Sequence, residues 1–261
     1  MNRTFLNSLM LLVVMASAAS ISQAAEPDRE LYEVRSYLLG EKGDAKAIEA
    51  YLRDALVPAL NRNGIKTVGV FTNSPHDSSD SPRFVVVIPY ANAQQMQSTQ
   101  RALAKDAQYH TDAKSYLDRA ADNPPYHRIT SELLVAMDCM PEAKVPEGTL
   151  SNADRVYELR LYESPNERLG DLKVDMFNSG EVPIFLDSGI QPLFIGQCLV
   201  GPQTPSLTYL TVYPNEEARN QAWVAFRAHP DWAVLSKVAK YQGTVSHIDK
   251  YVLVPQSYSQ M

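Results

Sequence analysis

Two cysteines in 261 residues, with no Cys-x-x-Cys between them, leave neither a zinc ribbon nor a thioredoxin-like motif. Positive charge is thin as well. There are 24 basic residues against 30 acidic ones, for a net charge of −6, and no Lys/Arg run. A chain of that balance lacks the electrostatic footprint for nucleic acid or anionic lipid, so both partner classes drop out. No His-x-x-x-His or His/carboxylate spacing appears, so no metal site is expected. Gly-x-Ser-x-Gly, a Walker loop, a dinucleotide fingerprint and a cysteine-nucleophile motif are also missing. Nothing in the sequence speaks positively for catalysis. The one long apolar run, Leu9 to Ala19, is shorter than the about 20 residues needed to cross a bilayer.

That run has another meaning. Arg3 precedes it and Ser22-Gln23-Ala24 follows, with small residues where a signal peptidase reads. These are the three parts of a secretory signal peptide over residues 1–24, an uncleaved N-terminal anchor being the alternative. The expectation is export, to the periplasm or the extracellular space. Removal of the segment takes away Arg3 alone and leaves a net charge of about −7. In an oxidising destination Cys139 and Cys198 either form one disulfide or stay as two buried thiols.

The mature chain repeats itself. Tyr32-Glu33-Val34-Arg35-Ser36-Tyr37 matches Tyr157-Glu158-Leu159-Arg160-Leu161-Tyr162 at an offset of 125 residues. The same offset pairs Val57-Pro58 with Val182-Pro183 and Gly64-Ile65 with Gly189-Ile190. Pro89-Tyr90 and Tyr213-Pro214 then fall in register within about one residue. Four landmarks in one order define a duplication: one domain over 31–138, a linker over 139–153 and a second domain over 154–256.

Each copy reads strand, helix, strand, strand, helix, strand. In the second, Val156 to Tyr162 alternates as a half-buried strand does. Glu167 to Leu186 carries an apolar helical face, and Gly189 stands where a helix C-terminus takes a left-handed residue. Pro192 to Val200, Ser206 to Tyr213 and Thr244 to Val254 read as strands. Asn215 caps a helix over Glu216 to Ala228, and His229-Pro230-Asp231 starts a short one. In the first copy the second helix runs from Asn92 to Ala120, with a break near Asp106. Tandem ferredoxin-like β-α-β-β-α-β units lay two helices on one face of a four-stranded antiparallel sheet. The other face is bare, and a duplicated chain supplies its own partner for it. The expected fold class is α+β: two sheets packed face to face as a pseudo-dimeric barrel, helices outside, in a monomer or weak dimer.

Val156 to Tyr162, Val182-Pro183 before Gly189-Ile190, Thr211 to Arg219, Trp223 to Arg227 and Pro230-Asp231-Trp232 together resemble the NIPSNAP family of the dimeric α+β barrel group. The likeness covers nearly all of the second copy. The first copy keeps Tyr32 to Arg35 and Val57-Pro58, but has Gln97 to Leu103 in place of the tryptophan helix and Tyr109 where Trp232 stands. The resemblance implies the barrel and no particular reaction. Mitochondrial relatives are linked to protein recognition in organelle turnover, and neighbouring barrel families include monooxygenases and haem enzymes. The expected role is a non-catalytic small-molecule-binding or protein-interaction module. The alternative is a cofactor-independent or haem-dependent oxidoreductase or monooxygenase. No cofactor is expected on the first reading, and haem belongs to the second.

Strand alternation picks the candidate site. Tyr157, Leu159 and Leu161 share one face of their strand; Glu158, Arg160 and Tyr162 share the other, as do Glu33, Arg35 and Tyr37 in the first copy. If the apolar set packs on the helices, the polar set lines the barrel between the sheets. There it forms either a structural Glu-Arg-Tyr network or a cavity whose Arg35 or Arg160 grips an anionic or oxygenated small molecule. Trp223, Phe226 and Trp232 read as core aromatics, and His229 as a helix cap.

Overall fold

The computed structural model describes residues 29–79 and 81–261. The signal peptide expected over 1–24 lies outside them. Among the described residues no helix is long and apolar enough to cross a membrane.

Eight strands close into one antiparallel barrel: β1 (Leu31–Leu38), β2 (Gly69–Asn73), β3 (Arg83–Tyr90) and β4 (Arg128–Ala136) from the first half, β5 (Val156–Glu163), β6 (Gln191–Val200), β7 (Ser206–Tyr213) and β8 (His247–Pro255) from the second. Their order around the barrel is β1-β3-β2-β8-β5-β7-β6-β4. Each half contributes the same run, with its first strand between its fourth and third and its second at the edge. Two seams then join the halves, β2 to β8 and β4 to β6. Unpaired edges are a liability for any sheet, and a tandem repeat removes all four by pairing them with each other. The two sheets therefore close edge to edge as well as facing one another, and one chain completes the barrel alone.

The helices repeat as the strands do. In the first half α1 (Ala45–Tyr51) and α2 (Val57–Arg62) are joined by a π-helical turn, Leu52–Leu56. In the second, α6 (Glu167–Met176) and α7 (Val182–Asp187) are joined by the π-helical turn Phe177–Glu181, again 125 residues on. Gly64 and Gly189 follow with φ of 85° and 82°, the left-handed conformation that glycine adopts without penalty. The segment read as one broken helix over Asn92 to Ala120 is three: α3 (Ala93–Leu103), α4 (Ala107–Asp112) and α5 (Lys114–Leu117). Asp106 makes the break by capping α4, its carboxylate accepting from the Tyr109 N–H. In the second half α8 (Glu216–Ala228) and α9 (Pro230–Leu235) are capped by Asn215 and His229. The offset falls from 125 to 123 by the ends of β3 and β7, at Tyr90 and Tyr213. The longer β2–β3 loop of the first half accounts for the difference.

Three apolar clusters follow from this layering. One lies between the first sheet and its helices, with Ile48, Leu52, Leu60, Val86 and Ile88 at its centre. One lies under the second set of helices, around Phe177, Phe185, Tyr209, Trp223 and Phe226. The third fills the barrel with Tyr32, Phe71, Val87, Tyr157, Phe194 and Leu210 from both halves. Linker and tail seal one end of the barrel. The Lys144 N–H donates to the Leu193 carbonyl and the Gln260 N–H to that of Val68, while Met261 is fully buried over Gly69.

At the β4–β6 seam Gly196 is required by close approach. A Cβ there would lie 2.7 Å from Leu134 Cβ and 3.4 Å from the Tyr32 ring. Gly196→Ala is expected to destabilise the protein by about 1–3 kcal/mol through overpacking. Urea unfolding checks this; an unchanged midpoint would mean the seam is looser than described.

The disulfide alternative for Cys139 and Cys198 does not hold: both are free thiols. Cys139 packs against the cluster beneath the second-half helices, and Cys198 against the barrel interior, so the sheet lies between them. Burial pushes both thiols up to about 11, which keeps them protonated.

Candidate functional site

The six candidate residues do not line the barrel. Tyr157 and Leu159 point into it, with Tyr32 and Val34 in the first half. Glu158, Arg160 and Tyr162 point outward beneath α6 to α9, and Glu33, Arg35 and Tyr37 occupy the equivalent place in the first half. The inversion has a physical reason. Eight strands crowd their inward side chains onto one axis, where few polar partners exist, so the interior takes the apolar set. The helices carry donors that satisfy a carboxylate, so the polar set goes there. Alternation shows that two faces differ; it does not show which is inside when both are covered.

In the first half the network is closed. Arg35 Nε and Nη2 donate to Glu33 Oε1 at 3.0 and 2.6 Å, and its Nη1 donates to the Tyr37 hydroxyl at 3.2 Å. The Tyr90 hydroxyl and Ser131 complete Glu33. Every nitrogen of Arg35 is used.

The second half starts from the same three residues and ends differently. Glu158, fully buried, accepts from Arg160 Nη1 at 2.9 Å through Oε1. Its Oε2 accepts from Arg219 of α8 and from Trp223 Nε1, the latter at 2.9 Å. The Tyr162 hydroxyl, which would match the partner of Arg35, is taken by that of Tyr209 at 2.8 Å. Arg160 is left with one hydrogen bond. Its Nε is buried without a partner, and its Nη2 donates to nothing. The guanidinium lies 4.3 Å from the centroid of the Trp223 ring and 5.5 Å from that of Tyr162. The side chain as a whole is 15 % exposed, while its Nε is fully buried.

A second buried ion pair stands beside it. Lys173 Nζ of α6 meets Glu181 Oε2 at 2.7 Å, with both side chains at most 5 % exposed. The ammonium also lies 4.8 Å from the Phe177 ring centroid. The π-helical turn brings Phe177 and Glu181 inward together, a use of the extra backbone residue that recurs at functional sites. Burial raises the Glu181 carboxyl above its usual range, with Lys173 and then Arg160 opposing. Burial likewise raises the Tyr209 and Tyr162 phenols, so both are neutral hydroxyls at physiological pH.

Lys173, Glu181, Tyr209 and Arg219 were not singled out from the sequence. One signal was there: Lys173 sits four residues after Leu169 and three before Met176, a charge on the apolar stripe of a helix. Tyr209 and Arg219 carry no local mark. No group of three or more His, Cys, Asp or Glu side chains that could hold a metal occurs among the described residues. Of the five histidines, four are exposed and His229 is half-buried as the cap of α9.

A closed α+β barrel of eight antiparallel strands with helices on its outer faces places the chain in the dimeric α+β barrel class. Within it, residues 157–260 match the NIPSNAP family model, so the second half is a NIPSNAP domain. No curated protein matches the chain. Among solved structures it is similar to a proposed monooxygenase from Fusobacterium nucleatum subsp. nucleatum ATCC 25586, with 9 % identity, a TM-score of 0.55, and 88 % of this chain and 94 % of that one covered. A proposed monooxygenase from Lactobacillus acidophilus NCFM gives 12 % identity, a TM-score of 0.55, and coverage of 87 % and 94 %. An uncharacterised NIPSNAP-like domain protein from Burkholderia xenovorans, 18 % identical, covers 41 % of this chain and 90 % of its own, with a TM-score of 0.38. At these identities the likeness is one of fold.

Proposed function

We propose that the protein is an exported binding module for a small anionic or oxygenated molecule, held beneath the second-half helices by Arg160. The observation that carries this is the contrast between two equivalent arginines. Arg35 is saturated by Glu33 and Tyr37, whereas Arg160 keeps two adjacent nitrogens, Nε and Nη2, without acceptors. A buried donor without an acceptor costs about 1–3 kcal/mol, so the arrangement favours an occupant that supplies one. The Nε–Nη2 edge of a guanidinium matches a carboxylate or another paired-oxygen group in bidentate fashion. The rings of Trp223 and Tyr162 flank it and suit an apolar body on the same ligand.

Native mass spectrometry of the protein isolated from its own host tests this. A bound small molecule is expected on the wild type and on Arg35→Ala, and is expected to be lost from Arg160→Ala. A bare chain in all three, at a mass showing the leader removed, would turn the reading toward a protein partner on the outer helices. The other reading, an oxidoreductase of the dimeric α+β barrel type, draws on the buried pair of phenols, Tyr162 and Tyr209, that Arg160 faces. It calls for a product whose formation depends on Tyr162, which the binding reading does not.

A further inference from the structure

The end of the barrel opposite the tail is open and polar. A cavity of about 60 Å³ enters there, its walls including Arg83, Glu132, Gln203, Thr208, Asp249 and Tyr251. Glu132 points inward from β4, only 8 % exposed. Thr208 Oγ1 donates to its Oε2 at 3.1 Å; among the described residues its Oε1 accepts nothing, and no cation lies within 4.0 Å. On the same cavity Arg83 stacks on the Tyr251 ring, with its guanidinium carbon 3.9 Å from the centroid. Its Nε donates to the Ser81 carbonyl, and its two terminal nitrogens donate to nothing among the described residues. Asp249, the other carboxylate at the mouth, is already engaged by Gln203 at 2.8 Å and by His247 at 3.1 Å.

One cavity thus presents an unpaired carboxylate and an unpaired guanidinium that do not reach each other. Glu132 is buried and Arg83 half-buried at the mouth; a buried charge is ordinarily paired, and a molecule bearing both charges would pair Glu132 and reach Arg83 at once. We propose that the open end of the barrel is a second binding site, taking a small amino-acid zwitterion with its ammonium on Glu132 and its carboxylate on Arg83. The volume limits the choice. At roughly 30 Å³ per water, the cavity takes about two waters, which restricts the choice to the smallest amino acids, glycine or alanine.

Calorimetric titration of the full chain at pH 8 with glycine tests the site, with methylammonium chloride and sodium acetate as single-charge probes. Glycine is expected to bind saturably, methylammonium at least about tenfold more weakly, or 1.4 kcal/mol, and any binding of acetate to respond to Arg160→Ala and not to Glu132→Gln. Glu132→Gln and Arg83→Met should each weaken glycine binding by at least that factor, while Arg35→Ala leaves it unchanged. Thermal melts establish that both variants are folded. Absence of saturable glycine binding, or binding indifferent to both substitutions, would overturn the proposal. So would methylammonium binding as tightly as glycine, which would leave Arg83 without a role.

Discussion

Glu158→Ala is expected to destabilise the native state by about 3–5 kcal/mol, several times the cost of the equivalent Glu33→Ala. Glu158 is fully buried and is the single anion between Arg160 and Arg219, with the Trp223 indole N–H on the same oxygen as Arg219. Without it Arg160 loses its one hydrogen-bonded carboxylate, Arg219 keeps Glu216 as its one carboxylate, and an indole donor loses its acceptor. Glu33 is 13 % exposed and its partner Arg35 25 % exposed, so water replaces part of what is lost there. For such a pair the loss is about 1 kcal/mol. Urea unfolding at pH 7 measures both. Equal losses would mean that the two halves carry equivalent networks, and the contrast between Arg35 and Arg160 would lose its basis.

The second large effect concerns pH. Burial pushes the Glu132 carboxyl up to about 7, against a hydrogen bond from Thr208 that acts the other way. A carboxyl with a raised folded-state pKa holds its proton in the native state while the unfolded chain releases it. Between its ordinary value of 4.5 and about 7 the native state therefore binds more protons, and stability falls as pH rises through that window. The full drop is about 3 kcal/mol, complete above pH 7 and absent below about 4.5. Glu132→Gln should remove the slope, matching the wild type near pH 4.5 and exceeding its stability by up to that amount at pH 8. Cys198 of β6 shares the interior with Glu132 and, held up to about 11 by burial, stays protonated across this window. Unfolding curves of wild type and Glu132→Gln that stay parallel from pH 4.5 to 8 would show that the carboxyl is solvated.

Much of the fold was legible because the duplication is strict where geometry is strict. Gly64 and Gly189, Val57-Pro58 and Val182-Pro183, and the Tyr-Glu-x-Arg strands keep one offset because each marks a helix end, a π-helical turn or the central strand of a half. The caps at Asn215 and His229 and the break near Asp106 were readable for the same local reason. Edge pairing between halves was not, since β2 with β8 and β4 with β6 meet across the whole chain and leave no short-range mark.

The site was half legible. Glu158, Arg160 and Tyr162 were named from alternation, yet placed on the wrong side of the sheet, because both sides are buried. What separates Arg160 from Arg35 depends on Arg219, Trp223 and Tyr209, which reach Glu158 and Tyr162 from α8 and β7. No spacing within one strand could show that. Glu132 was legible in retrospect: it shares its strand face with Leu134 and Ala136, a carboxylate on an otherwise apolar row.

Both tryptophans of the chain, Trp223 and Trp232, belong to the second half, and Arg160 lies against Trp223. Indole fluorescence therefore reports on the second-half site alone. Titration with short monocarboxylates such as propionate should give a saturable change in the wild type and in Arg35→Ala, and none in Arg160→Ala. A titration curve that Arg160→Ala leaves unaltered would contradict the assignment of the binding site to Arg160.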